Sequence, residues 1–395
     1  MEVYDAKQLV VRAGKELVES GLIARTWGNV SCRIDIKTFA ITPSGRSYET
    51  LQPEEIVLCQ LEDCTYEGEI KPSSEKRIHA LIYQTYPDIN FVIHTHQPLA
   101  SVISAADINS MQTTEFPLLG KNVPIAAYGL PGTKTLRENV RKALTDRRQQ
   151  AIIMAHHGAI CFGKEYEETF AVAKQLEDAC RSFLQNSYKK QSGAIVYEEK
   201  NYYNYYCSII RGNKMEQSKE PMNLFNSRRT SEGFVLEGKE DKVYQFNASM
   251  PPEARIHRDI FLKRKDVNFI KQDVEYGLLE ISRMRVPLKP LLDDYAQIVG
   301  GTAECAKTNE AKDIVKALGK RMGVVVPDCG ALCLAATESD LHAVSLVLEK
   351  DALAQIGTRM IGGGKTISFF DCKLMHYVYT KSYAKKATTD LSIKT

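Results

Sequence analysis

A chain of 395 residues exceeds the size at which single hydrophobic cores stop growing, about 250–300 residues, so at least two domains are expected. Apolar residues make up 44% and charged residues 26%, a globular balance that excludes extensive disorder. The net charge of +3 is spread along the chain without a basic tract or a face interleaved with aromatics, which argues against a nucleic-acid partner.

The first five residues lack a basic stretch leading into an apolar one, and no run of about 18 apolar residues occurs, so a cytoplasmic protein without a membrane partner is expected. The ten cysteines contain no C-x-x-C pair and read as reduced thiols. Cys329-x-x-x-Cys333 has a spacing that zinc tolerates, but with no second pair nearby both read as small buried residues on a strand.

In chain order, residues 6–20 carry apolar positions at helical spacing and stop at Gly21, which predicts a first helix. Residues 29–33 and 38–42 alternate like a hairpin before Pro43-Ser-Gly45, and 56–61 add a strand. A helix over about 74–86 precedes the strongly apolar strand 91–94. A helix from 134 toward 146, a strand over 151–155 and a long helix over 165–184 complete a strand-rich sheet flanked by helices. Residues 186–241 are tyrosine-rich at Tyr202, Tyr203, Tyr205 and Tyr206, then polar, and read as linker plus irregular structure.

Beyond them the sequence repeats itself. Pro72-Ser-Ser-Glu-Lys-Arg-Ile-His79 returns as Pro251-Pro-Glu-Ala-Arg-Ile-His257, and the block from Ala151 to Cys161 returns from Gly323 to Cys333. Laid on the first block, Gln272 stands where His94 stands, Val274 where His96 stands and Cys329 where His157 stands, while Glu253 matches Glu75. The second copy therefore reads as metal-free, and with too little sequence before Pro251 to contain the whole of residues 1–60 it reads as truncated.

His94-Thr-His96 follows an apolar run, so both imidazoles lie on one face of a strand or its end. With His157, from a separate strand end, they make the three-ligand pattern of an open catalytic zinc site whose fourth position is left for water or substrate. His156 competes for the third place. His157 is favoured because Gly158 follows it and lets the backbone turn close to a metal. Three imidazoles suit zinc, and cobalt, manganese or iron fit the same geometry. Pro72-Ser-Ser-Glu75 opens a helix whose free amides and hydroxyls suit an anion, although Ser with Glu is also an ordinary capped start. Thr26-Trp-Gly-Asn29 and Thr42-Pro-Ser-Gly45 suit close backbone approach to phosphate. Gly362-Gly-Gly-Lys-Thr366 lacks the earlier glycine of a P-loop and reads as a glycine turn.

In this order and at these intervals, Thr26-x-Gly-Asn-Val-Ser, Thr42-Pro-Ser-Gly45, Pro72-Ser-Ser-Glu75, His94-x-His96 and His157-Gly158 resemble the class II aldolase/adducin family over residues 5–185. The repeat extends the likeness weakly over 245–345. The resemblance implies an α/β fold, here two tandem three-layer α/β/α domains around mainly antiparallel sheets, the second truncated. The expected boundaries are 1–190 for a metal-binding catalytic domain, 191–241 for a linker and 242–395 for a degenerate domain without metal ligands.

The resemblance also implies that His94, His96 and His157 hold Zn2+ and that Glu75 moves the proton. It places Thr26, Asn29, Ser44, Gly45, Ser73 and Ser74 around the substrate phosphate. The implied reaction is retro-aldol cleavage of a small phosphorylated ketose of the fuculose-1-phosphate type through a metal-stabilised enediolate. The family's aldolases use a tyrosine after the H-x-H strand as a proton donor, and the comparable stretch here, Thr113-Thr-Glu-Phe116, has none. The alternatives are therefore a sugar-phosphate epimerase or dehydratase on the same metal site, or a non-catalytic adducin-like scaffold. The family's fourfold assembly implies a homodimer of two-domain chains.

Overall fold

The computed structural model describes residues 1–23, 27–113, 115–144, 149–191, 221–238 and 240–392. The chain divides into two compact units near residue 193, with 360–362 grouped with the first. Among the described residues no helix is long and apolar enough to cross a membrane, and every cysteine is a free thiol. The tyrosine cluster at 202–206 and Cys207 lie outside the described residues.

The first unit runs α1 (Val3–Glu19), β1 (Asn29–Arg33), β2 (Thr38–Ile41), β3 (Val57–Gln60), α2 (Lys76–Thr85), β4 (Phe91–Thr95) and α3 (Pro98–Ser104). It continues through β5 (Ser110–Gln112), β6 (Asn122–Ala126), α4 (Lys134–Ala143), β7 (Ala151–Met154), β8 (Gly158–Gly163) and α5 (Tyr166–Gln191). The eight strands form one sheet in the order β3-β2-β1-β4-β8-β7-β6-β5, antiparallel throughout except where β6 meets β7.

Strand alternation sends successive side chains to opposite faces. Phe39, Ile41, Val92, Ile152, Met154, Ile160 and Phe162 bury one face against Ile78, Leu81 and Ile82 of α2 and Leu136 and Val140 of α4. Phe91, of opposite parity to Val92, meets Tyr166 at the start of α5 with ring centroids 5.5 Å apart, and Arg12 of α1 lies 4.8 Å from that same tyrosine ring. Helices therefore cover both faces, giving the three layers expected.

The second unit contains β9 (Asn226–Arg229), β10 (Gly233–Glu237), β11 (Lys242–Gln245), α6 (Pro252–Lys263), β12 (Phe269–Asp273), α7 (Tyr276–Met284) and α8 (Asp293–Val299). After these come α9 (Ala311–Leu318), β13 (Gly323–Val325), β14 (Ala331–Ala335), α10 (Glu338–Arg359) and α11 (Phe369–Ser392). Its six-stranded sheet has the order β11-β10-β9-β12-β14-β13, the sequence of pairings found in the first six strands of the first sheet, and every pair is antiparallel. Register follows as well. His94 pairs with Ile160 in the first sheet, and Gln272 pairs with Leu332 in the second.

The expectation of an irregular segment over 191–241 is corrected by β9 and β10, which lie inside it. Asn226-Ser-Arg-Arg229 is too short and too polar to show a period, and it becomes a strand because β10 and β12 flank it on both sides. Counterparts of β1–β3 are present before Pro251, whereas among the described residues of this unit the sheet has no strand answering to β6 or β5 and no helix precedes β9.

Candidate metal and acid–base site

The site forms where the ends of β4 and β8 meet the start of α2. β4 carries His94 and ends at Thr95, and His96 follows one residue beyond it, the two-residue spacing keeping both on one side of the strand end. His157 arrives on the turn between β7 and β8. That turn packs so tightly that a Cβ on Gly158 would stand 2.3 Å from the Thr95 carbonyl oxygen, so only glycine lets the β8 backbone come in beside His96. Gly28 plays the same part on the other side. Its φ is +102°, and a Cβ there would lie 2.6 Å from the His94 carbonyl oxygen.

One nitrogen from each of His94, His96 and His157 lies within 4.8 Å of the others, and all three residues are buried. His94 Nε2 and His96 Nε2 are 2.7 Å apart. His94 Nδ1 is buried with no hydrogen-bond partner, its nearest acidic neighbour being Glu75 Oε2 at 3.6 Å. Burial drives the His94 pKa well below the ordinary imidazole value against the pull of Glu75, so the ring is neutral and keeps a lone pair to offer. Three imidazole nitrogens converging in a buried pocket fit a divalent cation. His156 does not join them. It takes a φ of +65° and turns its ring onto Tyr128, with centroids 5.3 Å apart.

Glu75 lies beside this cluster rather than in the first turn of α2. It occupies the N-cap position, its side chain makes no capping bond, and the helix begins at Lys76 instead of near Ser74. The carboxylate is drawn inward: Oε1 is 2.8 Å from His157 Nε2, and Oε2 accepts from Asn29 Nδ2 at 3.0 Å. Burial by itself would raise the Glu75 pKa. The facing His94 and His157 rings and the hydrogen bonds from His157 and Asn29 outweigh it and hold the carboxyl well below its usual range.

The residues expected around a phosphate are distributed less simply. Thr26 lies outside the described residues. Two backbone bonds sew the remaining loops together, Ser73 N to Thr42 O at 3.0 Å and Ser44 N to Lys71 O at 2.9 Å. Ser44, Gly45 and Ser74 are exposed on these joined loops, while Ser73 is buried with its hydroxyl accepting from Glu75 N at 3.2 Å. Gly132 borders them, since a Cβ there would stand 3.6 Å from Ser74 Cβ. Asn29 is buried beneath, its amide committed to Glu75.

Sequence reading missed what lies behind Asn29. Asn29 Oδ1 meets His79 Nε2 at 2.5 Å, His79 Nδ1 meets Ser31 Oγ at 2.6 Å, and Ser31 Oγ meets Tyr83 OH at 2.7 Å. The available signal was His79 itself, which the repeat returns as His257 although the other three imidazoles are not returned.

A buried group of three imidazoles with a carboxylate at its edge and two hydroxyl-bearing loops alongside is an arrangement that could hold a divalent cation and move a proton beside it. The family model described as "Class II Aldolase and Adducin N-terminal domain" matches residues 8–184. The chain is 34% identical over 187 residues to the 5-deoxy-D-ribulose 1-phosphate aldolase of Bacillus thuringiensis serovar kurstaki, covering 47% of this chain and 87% of that protein. It is 33% identical to the L-fuculose phosphate aldolase of Escherichia coli K12, covering 47% of this chain and 85% of the relative. A solved L-fuculose 1-phosphate aldolase shares 30% identity with a TM-score of 0.44, covering 49% of this chain and 92% of that one. The protein belongs to the class II aldolase and adducin family and is an enzyme of the class II aldolase type.

Proposed function

We propose that the protein is a zinc-dependent lyase that cleaves a small ketose 1-phosphate, of the fuculose or 5-deoxyribulose type, by retro-aldol chemistry. The observation that carries this reading is the pairing of His94, His96 and His157 nitrogens with the Glu75 carboxylate 2.8 Å from His157 Nε2. The names of the relatives, both ketose-phosphate aldolases, support the substrate class.

Breaking the carbon–carbon bond beside a ketone leaves negative charge on the carbonyl oxygen and the neighbouring hydroxyl. A cation held by His94, His96 and His157 would supply Lewis-acid stabilisation for that charge. The protein's own work is to move the proton and hold the substrate. Glu75, kept ionised, takes a proton from the reacting substrate and returns it to the carbon left by cleavage. Ser44, Gly45, Ser73 and Ser74 on the two joined loops hold the phosphate, the serines through their hydroxyls because the Ser44 and Ser73 amides are taken up in joining the loops. Gripping the phosphate away from the reacting carbons orients them.

The second unit is a degenerate copy, with Gln272, Val274 and Cys329 in place of the ligands, and the chain assembles as a homodimer. Light scattering on the purified protein tests the dimer, and a stable monomer would exclude it. The lyase reading is tested by incubating the zinc-loaded protein with fuculose 1-phosphate and 5-deoxyribulose 1-phosphate and looking for dihydroxyacetone phosphate. Its release supports cleavage.

The segment 113–116 holds no tyrosine, and Thr113 is buried with its hydroxyl donating to Gly120 O at 2.6 Å. That observation favours a second reading, epimerisation or dehydration of a sugar phosphate at the same site. An isomeric or dehydrated phosphate ester without release of dihydroxyacetone phosphate would establish it.

A further inference from the structure

Each of the three histidines is held by a different part of the first unit. His94 sits inside the sheet, where β4 pairs with β1 at Asn29 and with β8 at Ile160. His157 stands on the turn before β8, its amide donating to Met154 O at 3.0 Å. His96 lies beyond the end of β4, outside the ladder, and its amide donates to Leu22 O at 3.0 Å. The residues on either side of it are braced to each other, Thr95 Oγ1 donating to Gln97 Oε1 at 2.8 Å, and Gln97 Nε2 reaches Ala173 O of α5 at 2.6 Å.

The helix α3 starts directly after Gln97, and a helix start leaves backbone amides without partners inside the helix. Gln97, at the N-cap, makes no side-chain capping bond. Glu177, on α5, takes two of these amides instead: Leu99 N donates to its Oε1 at 2.8 Å and Ala100 N to its Oε2 at 3.2 Å. The second unit has the same device. Glu275 at the N-cap of α7 makes no side-chain capping bond, and Glu349 of α10 accepts from Gly277 N at 2.8 Å and Leu278 N at 2.9 Å. Leu99 and Gly277 stand equally far along the chain from His94 and Gln272, as do Glu177 and Glu349 from Cys161 and Cys333. The pin therefore belongs to the fold, and what differs is the residue it lies next to, His96 in one unit and Val274 in the other.

We propose that Glu177, by pinning the first turn of α3 to α5, is a positioning residue that aims His96 at the cation shared with His94 and His157, whereas the equivalent pin at Glu349 serves the fold alone. A carboxylate holds two amides because both of its oxygens accept. A glutamine in its place has one acceptor and turns an NH2 group toward the other N–H. Glu177→Gln thus releases the first turn of α3 at almost unchanged size, and the backbone leading back to His96 loses an anchor. His94 and His157 keep theirs, in the sheet and the turn.

The inference rests on the reading of the three histidines as metal ligands, and the experiment separates the two. Zinc affinity is measured by competition with a chromogenic chelator for the wild type, Glu177→Gln and Glu349→Gln, and the visible absorption of the cobalt-loaded proteins is recorded beside it. Glu177→Gln is expected to weaken zinc binding by about 10- to 100-fold, the usual effect of losing an outer support of a metal ligand, and to shift the cobalt bands. Glu349→Gln, which loses the same pin, should bind zinc and show the cobalt spectrum as the wild type does. Wild-type affinity and spectrum in Glu177→Gln overturn the proposal. An equal loss of affinity in both variants overturns it as well, because Glu349 could then act only through general destabilisation. If Glu177→Gln does not fold, Glu177→Asp, which keeps the charge and draws the carboxylate back along the side chain, carries the same readings.

Wild-type protein that takes up neither zinc nor cobalt would defeat the metal reading by itself, and the positioning claim then rests on NMR of protein labelled with 15N-histidine. His96 signals that move in Glu177→Gln more than those of His94 and His157 support it. His96 signals that stay in place overturn it.

Discussion

Gln272 donates its side-chain amide to the Cys329 carbonyl oxygen at 3.0 Å, joining the two positions that in the first unit are His94 and His157. The same side chain accepts from Leu224 N at 2.7 Å and donates to Met222 O at 2.8 Å. Where the first unit gathers lone pairs, the Gln272 amide is satisfied by its own backbone neighbours, which removes any demand for an ion there.

The purified protein should accordingly carry close to one equivalent of divalent metal per chain, not two. Plasma mass spectrometry of the wild type beside His94→Ala checks this. The variant is expected to retain none, whereas Gln272→Ala should leave the metal content unchanged.

Replacing Glu75 with glutamine preserves shape and removes the proton acceptor. General acid–base groups contribute about 10²–10⁴-fold, so kcat for Glu75→Gln should fall by that order while the metal stays bound. Kinetics and metal analysis on the same preparation test both halves, since loss of metal together with activity would mean that Glu75 holds the pocket together instead.

Acid should destabilise the second unit through His257. Burial lowers its pKa from 6.5 to about 4, so between those values the unfolded chain binds the proton and the native one does not. Stability from this group is complete above about pH 6.5 and is lost as pH falls toward about 4. At pH 5 the loss relative to pH 7.5 is about 2 kcal/mol. Glu349 runs the other way, since burial pushes it up to about 7 despite hydrogen bonds from Gly277 N and Leu278 N. Urea unfolding of the wild type and His257→Gln at both pH values isolates the histidine: the variant should lose about 2 kcal/mol less.

Gly158 and Gly330 answer each other in the two units. A Cβ on Gly158 would lie 2.3 Å from Thr95 O, and one on Gly330 would lie 2.1 Å from Asp273 O. Alanine at either position should destabilise its own unit by about 1–3 kcal/mol, the usual range for forced overpacking. The consequences for the site differ. Gly158→Ala displaces the strand beside His96 and should weaken metal binding, whereas Gly330→Ala should leave metal content at the wild-type level. Thermal melts and metal analysis on the two variants read both effects.

What the amino-acid order determined was whatever depends on spacing along the chain. The period-two run at β4 placed His94 and His96 on one face, the helical periods predicted α1, α2, α4 and α5, and Gly158 singled out His157 over His156. The repeated blocks announced a second sheet with the same pairing order. Tertiary structure decided whatever depends on a neighbour distant in sequence. The strand at Asn226–Arg229 has no period of its own and exists because β10 and β12 supply its hydrogen bonds. The Asn29 amide meets the carboxylate of Glu75, 46 residues away, a contact that no spacing along the chain announces. Only folding brings β1 and the start of α2 close enough for a buried amide and a buried carboxylate to satisfy each other.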